Sequence, residues 1–263
     1  MDAVVLAGGV PKPEELLYAY THGQPKALLP MAGKPMAQWV LDALSASPAV
    51  ERIVMIGLPE TEALHSPKIT AFLPNEGSLL ANILAGLRFV RQTNPQAEYT
   101  LLASSDIPAL RPEMVDWVAA GALRLQAEVI YHVVTRETME ERFPDAKRTY
   151  LRLKDMEVCG ADLNVVRTDI VDRDTTLASR VLAARKNPLR QAAFVGWKTL
   201  LMVALHRWTL EQTVAAVSAR SGLHGVGVVS PYAEMAMDAD KPHQVDLLRA
   251  DLARYSHSEV EHD

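Results

Sequence analysis

Apolar positions along the chain fall into two alternating periods. Short runs rich in β-branched residues, at Val4 to Ala7, Ile53 to Ile56, Tyr99 to Ala103, Val129 to Val134 and Gly225 to Val229, have the length and composition of strands. Between them lie stretches with helical spacing, from Met36 to Ser45, from Leu79 to Arg91 and onward from Pro112. Thr149 to Leu153 reads as a further strand with its charges alternating outward, and Thr175 to Arg185 as a helix. Arg190 to Ser221 reads as helix with a break near Gly196. Pro242 opens a closing helix through Tyr255, a place where proline's fixed φ and missing N–H cost nothing. Strand and helix in alternation predict an α/β sandwich of three layers, with a central, mostly parallel sheet covered on both faces. A single domain over residues 1–255 is expected, with a polar, aperiodic and disordered tail over 256–263.

Composition narrows the function more than the fold. With 263 residues, 49% of them hydrophobic, the chain has ample material for one core. A net charge of −5 argues against a nucleic-acid partner, which requires a basic face. One cysteine, Cys159, excludes an internal disulfide and a Cys-rich zinc site. The N-terminus enters strand pattern at once, without the features of an export signal, which predicts a cytoplasmic protein. The longest apolar stretch, Gln191 to Trp208, is interrupted by Lys198 and His206 and is too short to span a bilayer, so no stable membrane insertion is expected. Its stripe of Phe194, Trp197, Leu200, Leu201 and Trp208 reads as core or as the face of a homodimer.

The chemistry begins where the first strand ends. Ala7 leads into Gly8-Gly9, two residues without Cβ, beside which backbone N–H groups can converge on phosphate oxygens. The same loop returns through Pro25-Lys26, which brings a compensating positive charge. By itself a glycine pair after a strand also shapes ordinary turns. The spacing fits neither a P-loop nor a dinucleotide fingerprint. Two more sets of residues fall at strand ends, where ligands of open α/β sheets bind. Asp106 follows Leu101 to Ala103 and precedes Ile107-Pro108; its carboxylate can hold a cation or cap the next turn. Asp238 and Asp240 flank Ala239 before Lys241-Pro242, on what reads as a short strand whose alternation points both carboxylates the same way. The alternative reading is that Asp240 caps the closing helix.

In that order, the stretches VVLAGG, QPKALLPMAGKPM, ASSDIPAL and MDADKPHQVDLL resemble the MobA-like NTP transferase family, the nucleotidyltransferases related to molybdenum cofactor guanylyltransferase and to the cytidylyl and sugar-nucleotide transferases. The resemblance implies a GT-A-like (Rossmann-like) fold and transfer of a nucleoside monophosphate from an NTP, with Mg²⁺, to a small phosphorylated acceptor, releasing pyrophosphate. It implies Lys26, Asp106 and Asp240 as catalytic residues, and Asp106 and Asp240 as metal ligands with Asp238 as a helper. It also implies a nucleotide site of Ala7, Gly8, Gly9, Lys26, Gly77, Ser78, Asn82 and Asp106. Glu76, Gly77, Ser78 and Asn82 stand where the family meets base or ribose, although Ser78 also suits an N-cap. Asp162 and Asn164 resemble the acceptor-side loop.

One departure from the family pattern stands out. The first loop of relatives usually carries Gly-x-Gly-x-Arg, whereas Gly8-Gly9 is followed here by Val10, Pro11, Lys12, Pro13, Glu14 and Glu15. Lys12 offers a point charge in the arginine's place without its bidentate fork. Lys34 reads as decoration of a turn. Lys147, Arg148, Arg152 and Lys154 around Tyr150, with Arg180, Arg185, Lys186 and Arg190, form either an acceptor-phosphate site or a charged edge strand. The histidines show neither metal-ligand spacing nor a hydrolase order. Two rival readings remain: a GT-A glycosyltransferase using a nucleotide-sugar, and a catalytically silent nucleotide-binding protein.

Overall fold

A computed structural model of the chain describes residues 1–172 and 197–260. Its centre is a nine-stranded sheet in the order β5-β4-β1-β6-β10-β7-β9-β8, with β11 paired to β7. The strands are β1 Asp2–Leu6, β4 Arg52–Ile56, β5 Ile69–Leu73, β6 Tyr99–Ser104, β7 Val129–Thr135, β8 Leu151–Arg152, β9 Glu157–Gly160, β10 Leu163–Arg167 and β11 Gly225–Val229. A separate two-stranded ladder joins β2 Pro30–Met31 to β3 Lys34–Pro35. From β5 to β6 every pairing is parallel, as is β11 with β7; β10 enters antiparallel between β6 and β7. The mixed, mostly parallel α/β architecture expected from the alternation of elements is therefore present.

The flanking helices are α1 Tyr18–Thr21, α2 Met36–Ala46, α3 Leu79–Thr93, α4 Pro112–Leu125, α5 Arg136–Arg142, α6 Trp197–Ala204, α7 Leu210–Ser221 and α8 Pro242–Val260. Burial on both faces explains why β1 is a continuous apolar run. Ala3 and Val5 pack into the larger cluster with Val40 and Leu44 of α2 and Val115 and Val118 of α4. Val4 turns to the other face, against Leu87 and Val90 of α3. Each such side chain is worth about 1.5–3 kcal/mol when fully buried, so β1 is anchored from both sides and its C-terminal end is a rigid place to begin a site.

Several boundaries differ from the sequence expectation. The strand foreseen over Thr149 to Leu153 shrinks to Leu151–Arg152, an exposed pair on β9. Helix α8 continues past Tyr255 to Val260, into the stretch expected to be a tail. Among the described residues the late helix is interrupted between Ala204 and Leu210, where Thr209 and Gln212 form a reciprocal capping box that starts α7. Gly196, Phe194 and the Thr175 to Arg185 helix lie outside the described residues. Leu201, assigned to core or to a dimer face, is exposed, and Trp208 is half-buried. No described helix is long and apolar enough to cross a membrane.

Helix α3 reaches the sheet through Gly86, where an added Cβ would lie 2.6 Å from Val4 Cγ1. Gly86→Ala is expected to cost about 1–3 kcal/mol through overpacking. Gly121→Ala in α4, where nothing lies within 4 Å of the new methyl, should be neutral or stabilise by up to about 1 kcal/mol. Urea unfolding of the two variants measures the contrast; equal stability would show that the α3–β1 contact is not tight.

Candidate functional site

Three strand ends and one returning loop build the site. The ladder of β1 runs one residue beyond the strand, since the Ala7 N–H donates to the Ile56 carbonyl at 2.8 Å. Ala7, expected at the nucleotide site, is buried and does not line the cleft, and its N–H serves the sheet. At Gly8 a Cβ would stand 2.8 Å from Asn75 Nδ2 and 3.1 Å from Asn82 Nδ2. The missing side chain is therefore what lets the loop after β5 close on β1. Asn75 Nδ2 donates to the Gly8 carbonyl at 3.1 Å, and Asn82 Nδ2 to Asn75 Oδ1 at 3.3 Å. The Glu76 and Gly77 N–H groups donate to Asn82 Oδ1 and Asn75 Oδ1. Ser78 caps α3 by accepting from the Ala81 N–H at 3.3 Å.

The loop leaving Gly9 returns at Lys26, whose backbone N–H donates to the Gly9 carbonyl at 2.8 Å. That bond puts the Lys26 side chain beside the glycines. Its ammonium lies 2.6 Å from Asp106 Oδ2 and 2.5 Å from Asp240 Oδ1. Asp106 is oriented by the Ser104 hydroxyl, which donates to its other oxygen at 2.6 Å, and its carbonyl accepts from the Ala239 N–H at 3.0 Å. Together these bonds fix the relation between the β6 end and the segment carrying Asp240. That segment, Met237 to Asp240, is an irregular connection rather than the expected strand. Its two carboxylates consequently part company. Asp240 is 60% exposed in the cleft, whereas Asp238 turns inward to a buried ion pair with Arg148 and does not line the cleft. In this structure Asp238, the expected helper in metal binding, is thus engaged by Arg148 and is not gathered with Asp240 at Lys26.

Four carboxylates, of Asp106, Asp162, Asp238 and Asp240, share the electrostatics of this site with the two cations Lys26 and Arg148. Burial opposes the Lys26 charge, yet Asp106 and Asp240 outweigh it and hold the ammonium above its ordinary pKa. Burial likewise opposes charge on Asp240, but Lys26 prevails and holds that carboxyl below the usual range. Asp162 is pushed up to about 8 by burial, with Asp106 and Asp238 adding repulsion. Asp238 is pushed up to about 7 by burial, against the pull of Arg148 and with repulsion from Asp240 and Asp106. The site is short of positive charge.

The cleft at these strand ends has a volume of about 620 Å³. Of the residues expected at the nucleotide site, Gly8, Gly9, Lys26, Gly77, Ser78, Asn82 and Asp106 line it, as does Asp240. Asn75, Ser104 and Ser105 line it as well and were not foreseen; Ser104 and Ser105 sit in the quoted ASSDIPAL stretch, which was the available signal. Glu76 and Lys12 do not line it. Of the two residues expected in an acceptor-side loop, Asp162 joins the carboxylates. Asn164 instead bonds the His132 N–H and the Ala161 carbonyl, tying β7 to β10. Arg152 is exposed on β8, Tyr150 lies under the Arg136 guanidinium at 4.5 Å, and Arg180, Arg185, Lys186 and Arg190 lie outside the described residues. Lys34 pairs with Asp42 over the Trp39 ring. His132 is buried, held to about 4 chiefly by that burial, and packs on Trp117.

Among the described residues no trio of His, Cys, Asp or Glu is arranged to hold a metal ion. Magnesium normally takes only one or two protein carboxylates and completes its shell with phosphate oxygens and water. Asp106 and Asp240 direct two hard oxygens at a single point, the one the Lys26 ammonium holds, and the site lacks positive charge. This donor set fits a hard divalent cation that arrives with a phosphate.

Comparison with known proteins places this cleft in context. The family profile described as the MobA-like NTP transferase domain matches residues 3–230. A structure described as a hypothetical transferase from Thermus thermophilus is 35% identical, with a TM-score of 0.78, over 93% of this chain and 98% of that one. The 2-C-methyl-D-erythritol 4-phosphate cytidylyltransferase of Aromatoleum aromaticum is 25% identical over 124 residues, 44% of this chain; the match spans 53% of that enzyme's length. The structure of the enzyme of that name from Thermus thermophilus shares the fold at 15% identity, with a TM-score of 0.56 over 96% of this chain and 98% of that one.

The raised carboxyls set a pH dependence. Between the unfolded value of about 4 and the folded values of about 7 for Asp238 and about 8 for Asp162, the native state binds more protons than the unfolded one. Stability is therefore full at low pH and lost as pH rises through that window. In metal-free buffer the melting temperature should fall from pH 5 to pH 8.5, and Asp162→Asn should flatten the fall. A rising profile in the wild type would contradict the buried cluster.

Proposed function

The chain belongs to the MobA-like NTP transferase family, and on that premise we propose that it moves a nucleoside monophosphate from an NTP to a small phosphorylated acceptor, releasing pyrophosphate. The observation that carries this reading is the convergence of Lys26, Asp106 and Asp240 beside Gly8-Gly9 in one cleft. Phosphoryl-type transfer asks a protein mainly for positioning and for charge aimed at the reacting phosphates, and this convergence supplies both. The Gly9 backbone, with no Cβ in the way, receives the phosphates. An oxygen of the acceptor phosphate attacks the α-phosphorus in line; the new P–O bond forms as the bond to the β-phosphate oxygen breaks, and pyrophosphate leaves with the electron pair. Lys26 shifts its hydrogen bonds from the two carboxylates toward the α-phosphate and the leaving oxygen, where negative charge grows. Asp106 and Asp240 would hold magnesium, which supplies electrostatic stabilisation of the crowded phosphate oxygens. Ser104 keeps Asp106 in its orientation throughout.

Asp238 and Arg148 act one layer away. Their buried pair anchors the Met237 to Asp240 connection, so that Asp240 faces Lys26. Names of relatives favour CTP as the first donor to test, since the curated relative is a cytidylyltransferase.

Incubation with each of the four NTPs, Mg²⁺ and a panel of sugar, polyol and alcohol phosphates, read by pyrophosphate release, tests the proposal. One donor and acceptor pair should turn over, and Asp106→Asn or Lys26→Met should lower kcat by about a hundredfold or more. Release of a nucleoside diphosphate from a nucleotide-sugar, or turnover unaffected by either variant, would overturn the assignment. Gly9→Ala supplies a finer check. The protein atom nearest its new methyl is Lys26 Cβ at 3.9 Å, ordinary contact. The variant should fold as the wild type does and yet raise KM for the NTP; an unchanged KM would place the phosphates elsewhere.

A further inference from the structure

Strand β7 lies inside the sheet, with β9 and β10 along one edge and β11 along the other. Its side chains alternate between the two faces. On one face Ile130, His132 and Val134 are buried. On the other, Val129 packs on the cluster that Leu87 and Val90 of α3 cover, and Val133 clusters with Val203 of α6 and Leu210 of α7. Tyr131 stands between these two valines and is nevertheless 45% exposed. Beside it on β11 the covering layer is closed, since a Cβ on Gly227 would lie 3.0 Å from Leu210 Cγ and from Val214 Cγ2 of α7. An aromatic ring left open in the middle of an interior strand marks a gap in the helical layer, and such a gap beside a charged site is a place for a ligand.

The far end of the side chain leads to the carboxylates. At Gly160 an added Cβ would lie 2.2 Å from Tyr131 Oη, so the missing side chain is what seats the hydroxyl there. Two residues on, the Asp162 carbonyl accepts from the Ser104 N–H at 2.9 Å, and Ser104 lines the cleft and orients Asp106. Burial, followed by the charge of Asp162, raises the phenol's pKa, so it remains an O–H donor. Among the described residues nothing hydrogen-bonds this hydroxyl. Its polar neighbours are committed: Asn164 to the His132 N–H and the Ala161 carbonyl, Arg148 to Asp238. No residue of β7 lines the cleft that holds Gly8, Gly77 and Asn82, so Tyr131 lies on the other side of Asp106 from the nucleotide site.

Resting on the reading that this cleft transfers a nucleotide to a phosphorylated acceptor, we propose that Tyr131 is a specificity-determining residue for that acceptor, its ring seating the carbon skeleton and its hydroxyl, held over Gly160, bonding it. The acceptor's phosphate reaches Asp106 and Asp240, and the rest of the molecule runs back over the sheet past Asp162 to the open ring. Tyrosine suits the place, offering an apolar face and a polar tip. Gly160 is a positioning residue, because any side chain there drives the hydroxyl from its seat.

Steady-state kinetics with the NTP and the sugar, polyol or alcohol phosphate that turn over in the panel above, with Mg²⁺, test the assignment. Tyr131→Phe should raise KM for the acceptor about threefold to tenfold, the loss of one uncharged hydrogen bond, and Tyr131→Ala should raise it further. KM for the NTP and the melting temperature should stay at the wild-type values in Tyr131→Phe. Gly160→Ala should raise the acceptor KM at least as much as Tyr131→Phe, yet add nothing in the Tyr131→Ala background, where the methyl meets no hydroxyl. An acceptor KM unmoved in both Tyr131 variants, or an equal rise in the KM of the NTP, would overturn the role of Tyr131 and leave the transferase reading standing. Absence of turnover by the wild type with every pair would overturn both.

Discussion

The architecture of the site depends on the closure of one loop. When the Lys26 N–H bonds the Gly9 carbonyl, sixteen intervening residues are folded back and a lysine is delivered to the end of the first strand. From there a single ammonium touches carboxylates on two other segments, after β6 and before α8. Three parts of the chain far apart in sequence are thereby held to one point. The rigidity behind them comes from the sheet, since β1 and β6 are neighbours buried on both faces and cannot drift.

Charge explains the rest of the arrangement. Carboxylates outnumber cations around Lys26; Arg148 takes up Asp238, and burial with repulsion from Asp106 and Asp238 pushes the Asp162 carboxyl up. Such a site is costly in the folded state and gains from any ligand that brings positive charge, which is the usual signature of function rather than of stability. Asp238 is the instructive member. Two residues from Asp240, it is taken up by Arg148, and the pair fixes the backbone that presents Asp240.

The sequence made the parallel half of the sheet legible, because buried β-branched runs and amphipathic helices carry strong periodic signals. Other strands escaped: β5 is only partly buried along its length and β9 carries just two buried residues, β10 went unread, and β8 is a two-residue remnant of a longer expected strand. In the site, Gly8, Gly9, Lys26, Asp106 and Asp240 were readable from motif order. The inward turn of Asp238 was not, since strand alternation had been assumed where the chain is irregular. The Asn75–Asn82 network was equally hidden, because it depends on the absence of a side chain at Gly8, which only the packed structure reveals.

On the proposed function, one cleft organised by Lys26, Asp106 and Asp240 binds a nucleotide together with a divalent cation. Melting curves of the wild type and Asp106→Asn, each with and without Mg²⁺ and with each of CTP, GTP, UTP and ATP, test it most directly, because a ligand bound only to the folded state raises its stability. One nucleotide should raise the wild-type melting temperature by several degrees, only with Mg²⁺, and should leave Asp106→Asn unmoved. No metal-dependent shift with any nucleotide, or the same shift in the variant, would contradict the account.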